Sequence, residues 1–163
     1  MADKQATVYI VDQGKSMGEK RNGRDETDLE YGMRYIWGKI TETLLASRVT
    51  FTVGVVGLRT DNTDNPLEDE DSYENISILQ PICAMKMSHL KELQECIKVN
   101  ETEAGDAFSA IIVAVDMISE FTKKLKFIRK IVLITNARGP MDDDGAEELV
   151  KKMNDDNIQL VVV

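Results

Sequence analysis

Two rhythms of apolar and polar positions run along this chain, and the changes between them mark its elements. Ala6–Val11 is a short β-branched run, the pattern of a strand buried on both faces. It stops at the polar turn Asp12-Gln13-Gly14-Lys15-Ser16. Thr27 and Glu30 then stand at capping-box spacing, where hydroxyl and carboxylate satisfy each other's free amides at a helix start. Leu29, Met33, Ile36, Trp37, Ile40 and Leu44 follow at steps of three and four, which predicts a one-faced helix from about Asp28 to Ser47. Val49–Leu58 alternates, with Val49, Phe51, Val53 and Val55 on one side, and predicts a strand with one better-buried face.

Ile76–Ala84 reads as the next strand. No helical pattern separates it from its predecessor, so the pair is expected to be antiparallel and near an edge. Pro81 agrees, because a proline cannot donate to a ladder. Ser88–Val99 predicts a short amphipathic helix with Leu90, Leu93 and Ile97 inward. Asp106 is placed to cap a helix running through Phe121 that is apolar nearly all round and should pack deep against a sheet. Lys130–Thr135 and Ile158–Val163 read as buried strands, and a helix from about Asp143 to Met153 lies between them. The resulting order, β-α-β-β-α-α-β-α-β, is that of a mostly parallel, Rossmann-like α/β sheet with one antiparallel edge strand and helices on both faces. One domain, residues 1–163, accounts for the whole chain. It ends on a strand with no helix to follow, so it is expected to be a fragment of a longer chain.

Charge changes the picture. The chain carries 29 acids against 20 bases, a formal charge of −9, which repels a phosphate backbone on average. Seven of those acids (Asp61, Asp64, Glu68, Asp69, Glu70, Asp71 and Glu74) fall in one loop that has no base, and the remainder of the chain amounts to only −2. A smaller cluster is Asp142–Asp144. The loop also holds Leu67 and Tyr73, apolar residues inside an acidic rim, a combination suited to a peptide with basic and hydrophobic anchors. The competing reading is that the two side chains only pin the loop to its own domain.

Catalytic signals are missing. Gly14-Lys15-Ser16 has the end of a phosphate loop, but Tyr9 stands where its first glycine is needed. His89, the single histidine, reads as a surface or helix-cap residue, and Cys83 and Cys96 read as packing residues outside any zinc or redox spacing. No apolar run approaches the ~20 residues that cross a bilayer. No membrane contact is expected.

In a doubly wound sheet, ligands sit at the carboxyl ends of the strands. Those ends offer Asp12, Gly14 and Ser16, then Asp106, then Asn136. In this order the residues resemble the von Willebrand A family, whose Asp-x-Ser-x-Ser turn, threonine loop and later aspartate hold one divalent cation. Here Gly14 replaces the first serine, Gly105-Asp106 stands in the threonine loop, and Asn136 removes a charge. A hard cation needs several oxygens, preferably anionic. No metal or other cofactor is expected, and Asp12 and Ser16 are expected to serve exposed amides of the turn.

A narrower resemblance rests on Val11–Met17, on Thr60-Asp61-Asn62-Thr63-Asp64-Asn65-Pro66-Leu67 with Tyr73-Glu74-Asn75-Ile76, and on Asp106–Val113. These stretches look like the N-terminal domain of the larger subunit of the Ku heterodimer, in its fungal form, over essentially the whole chain. The resemblance implies a nuclear, DNA-end-binding protein for non-homologous end joining and, in fungi, telomere maintenance. It further implies a smaller Ku subunit as partner and a DNA grip downstream of residue 163. Leu67, Tyr73 and Ile112 would line a groove for peptide motifs of repair or telomere factors. Members of the family are sometimes called ATP-dependent DNA helicases; a metal-dependent adhesion module and a helicase segment are the alternatives.

Overall fold

Burial explains which runs became which strands. In the computed structural model, which describes residues 3–163, the strands are β1 (Gln5–Asp12), β2 (Phe51–Leu58), β3 (Ile76–Ala84), β4 (Ile128–Ile134) and β5 (Ile158–Val162). The helices are α1 (Asp28–Leu45), α2 (Met87–Cys96), α3 (Ala107–Thr122) and α4 (Ala146–Asp155), with a short 3-10 turn at Lys15–Gly18. The sheet order is β3-β2-β1-β4-β5. All neighbours are parallel except β2 and β3. The predicted architecture is therefore present, antiparallel edge included.

Successive side chains of β1 serve opposite layers. Val8 and Ile10 pack with α3 and α4, while Tyr9 and Val11 pack with α1 and α2. The α3 layer is built on Ala110, Ile111, Val113, Ala114 and Ile118, buried almost all round the helix as its composition requires. The α1 layer uses one stripe: Leu29, Met33, Ile36 and Ile40. Thr27 caps α1 in both senses, its Oγ1 accepting from the Glu30 amide at 3.2 Å and its own amide donating to Glu30 Oε2 at 2.7 Å.

Three expectations need correction. β2 is buried on both faces from Thr52 onward, and Val49, which the alternation placed in the strand, lies before it and is exposed. The reason is position: β2 sits between β1 and β3, with helices over each side. β5 is not a buried strand. Ile158 alone of its residues is buried, because β4 is its one neighbour among the described residues. α4 begins at Ala146 rather than near Asp143, since Gly145 adopts φ +82° and turns the chain into the helix. Pro81 sits exposed on β3 beside the register irregularity opposite Val53–Val56, as an edge proline should.

Candidate functional site

The C-terminal ends of β1 and β4 converge on one carboxylate. Asp12, fully buried, accepts at Oδ1 from the Gly14 amide at 3.0 Å and at Oδ2 from Thr135 Oγ1 at 2.6 Å. Its remaining partner was not foreseen from the sequence. Arg59, at the end of β2 and 1% exposed, directs Nη1 at Asp12 Oδ2 in a buried ion pair. The backbone strains to put it there, for Arg59 holds φ +57°. Two glycines make the room. A Cβ on Gly14 would come 2.8 Å from Arg59 Cδ, and one on Gly139 would fall on the guanidinium itself. Arg59 Nη2 also donates to the Pro140 carbonyl at 3.3 Å, and Asn100 Nδ2 donates to the Arg59 carbonyl at 3.4 Å.

The other strand-end residues are occupied as well. Ser16 donates its amide to Glu103, and its Oγ lies 3.4 Å from both Glu103 Oε2 and Asn136 Oδ1. Asn136 Nδ2 donates to Asp28 Oδ2 at 3.3 Å, and Asp28 also receives Arg21 and Arg24. Asp106 caps α3 by accepting from the Ser109 amide at 2.6 Å and takes the Asp142 amide at 2.7 Å. Thus Asp12, Gly14, Ser16 and Asn136 share one neighbourhood, while both oxygens of Asp106 are committed elsewhere. Only Asp12 of the expected pair serves a turn amide; Ser16 gives its own amide away. These residues do not fit a hydrated divalent ion, because both buried carboxylates are already engaged, Asp12 by a guanidinium, a hydroxyl and an amide, and Asp28 by two arginines and the Asn136 side chain. The residues missed were Arg59, Thr135 and Glu103. The available signal was an arginine closing an otherwise apolar strand, Phe51–Leu58.

A second locus lies on the α3 side of the same sheet edge. Leu67, Tyr73 and Ile112 are all half-buried and pack against one core cluster. The acidic loop that carries the first two is ordered by Asn65, whose Nδ2 donates to the carbonyls of Tyr73 (3.0 Å) and Ile76 (2.8 Å) while Oδ1 accepts from the Leu67 amide at 3.1 Å. Beside it opens a cleft of about 390 Å³ lined by Asp71, Tyr73, Glu74, Asp106, Ser109 and Asp142, among others. Ser109 and Ile112 are three residues apart on α3 and so share a face. Elsewhere, His89 caps α2 by accepting from the Lys86 amide at 3.3 Å, and burial raises the thiol pKa of both Cys83 and Cys96 above its ordinary value.

Comparison with known proteins agrees with this fold. Among solved structures, the von Willebrand A domain of SpRpn10 superposes with a TM-score of 0.68 at 14% identity, covering 98% of this chain and 74% of that one. BatB from Bacteroides thetaiotaomicron gives 0.66 at 19% identity over 97% of this chain and 65% of its own. At such identities the likeness is one of fold. In sequence, the proteins named "ATP-dependent DNA helicase II subunit 2" from Neurospora crassa and Chaetomium globosum are 53% and 52% identical over 100% of this chain, and the namesake from Schizosaccharomyces pombe is 39% identical over 87%. This chain spans 23%, 22% and 20% of those three proteins. The Ku70/Ku80 N-terminal alpha/beta domain family matches residues 6–162, and the chain belongs to that family.

Proposed function

We propose that this domain is the protein-docking domain of a larger Ku subunit. That subunit, with the smaller one, binds double-strand DNA ends in the nucleus for non-homologous end joining and telomere maintenance. The DNA grip lies outside these residues. A surface of formal charge −9 is a poor partner for phosphates. The helicase wording in the relatives' names finds no support in this segment. The stretch that would have to be a phosphate loop, residues 9–16, begins inside β1, where Tyr9 pairs with Val55 and Val132.

One observation supports the docking reading: Leu67, Tyr73 and Ile112 are half-buried against the same core cluster, and Tyr73 also lines a cleft walled by Asp71, Glu74, Asp106 and Asp142. A peptide pairing Lys or Arg with an aromatic or aliphatic residue would place its charge on the acids and its anchor against these half-buried apolar side chains. The test is Leu67→Arg, assayed by calorimetry with a synthetic Arg/Lys-rich peptide carrying a central Trp-Leu pair. Binding is expected to fall at least tenfold with the far-UV circular dichroism unchanged. If the variant unfolds instead, Leu67 is a loop pin and the reading fails.

A further inference from the structure

The opposite end of the sheet carries the reverse chemistry. Residues 121–130, Phe121 to Lys130, contain five bases and no acid in a chain that is otherwise strongly acidic. Lys123, Lys124 and Lys126 are exposed, as is nearby Lys4, and among the described residues none of these four forms an ion pair. Apolar side chains stand between the charges: Leu125 is 57% exposed, Ile128 46% and Phe121 38%.

This surface is held rigid. Arg129 donates Nε to Thr122 Oγ1 at 2.9 Å, Nη1 to the Asp156 carbonyl at 2.9 Å, and Nη2 to the carbonyls of Leu125 (3.0 Å) and Lys123 (3.4 Å). The Leu125 amide closes the turn on the Thr122 carbonyl at 2.9 Å. Phe127 packs edge-on against Phe121 at 5.8 Å, with the Lys4 ammonium 5.8 Å from the Phe127 ring. At φ 46°, ψ −125°, Lys123 holds the first central position of a turn that favours glycine. The chain keeps a charged side chain where bare backbone would be easier.

We propose that this pole docks an acidic segment of another protein that carries an aliphatic or aromatic anchor. The unpaired lysines supply the complementary charge, and the exposed Leu125 and Ile128 supply the apolar contact that fixes register. A fixed arginine clasp means the surface is already in its binding shape, so little ordering cost falls on this side. The aliphatic residues favour a protein over a nucleic acid, since they offer nothing to a phosphate.

The experiment is fluorescence anisotropy on the full-length protein, with a labelled dodecapeptide of Asp and Glu around a central Leu-Phe pair. Controls are the same peptide with Ser-Ser at its centre, and a duplex DNA. Saturable binding is expected, weakened about tenfold or more by Lys123→Glu/Lys124→Glu/Lys126→Glu, and about threefold to tenfold by Leu125→Ser. All four positions are exposed, so thermal midpoints should stay put. Leu67→Arg, at the other pole, should leave this binding unchanged. Equal binding of the Ser-Ser peptide would overturn the anchored-segment proposal. So would undiminished binding by the triple variant, or no peptide binding at all. A triple variant that loses only duplex DNA affinity would assign the surface to nucleic acid instead.

Discussion

Arg59 is the residue on which the strand-end cluster turns. A buried ion pair is costly to break because one charge is stranded, yet two well-packed apolar residues often replace it at little cost. Arg59→Met alone is therefore expected to lose about 3–5 kcal/mol in urea denaturation. Asp12→Leu/Arg59→Met should recover a large part of that. Additive losses would show that the arginine acts through packing alone and not through Asp12. Magnesium should leave the wild-type midpoint where it is, since the Arg59 guanidinium already neutralises the buried Asp12 carboxylate and both of its oxygens are engaged by protein donors. The sequence made Asp12 legible, as an acid ending a buried strand, but not its partner. Nothing in the spacing of residues 12, 59 and 135 announces contact, because each closes a different strand and the sheet order alone brings them together.

Among the elements, those whose signal is local were readable and those whose environment is set by neighbours were not. The capping box of α1 is local chemistry, and both of its bonds formed. Thr27→Ala is expected to cost about 1 kcal/mol, the usual worth of such a cap, measured by chemical denaturation at neutral pH. The same box sets a pH dependence. Hydrogen bonds from the Thr27 amide and side chain lower the Glu30 pKa from its ordinary value of 4.5. A lowered folded pKa means that the stabilisation is present above about pH 4.5 and is lost as pH falls through the folded value. The gap between wild type and Glu30→Ala, which removes the carboxylate, should accordingly narrow in acid. A gap that stays constant would detach Glu30 from the cap. β2 and β5 were misread for the converse reason. Whether an apolar run is central or marginal depends on which strands flank it, and run composition carries no such information.

At the scale of the whole molecule, charge is sorted along the strand axis. Acids gather where β1, β2 and β4 end, and an unpaired basic segment gathers where β4 begins. The acidic pole was legible as a loop, since seven acids fall within fifteen residues, Asp61 to Asn75. The basic pole was equally visible in Phe121–Lys130 but was masked by the deep apolar helix before it and the strand after it. Asp12 meets Arg59 across 47 residues and Thr135 across 123, so the cluster cannot close until β2 and β4 have both docked on β1. A side-chain cluster that closes only after the strands have docked is expected to be absent from the transition state, so that its loss acts on unfolding. The Arg59→Met substitution should therefore steepen the unfolding rate and barely touch the folding rate in stopped-flow chevrons; slowed folding would put the cluster in the nucleus. A latch that engages last governs how long the native domain survives, not how quickly it is reached.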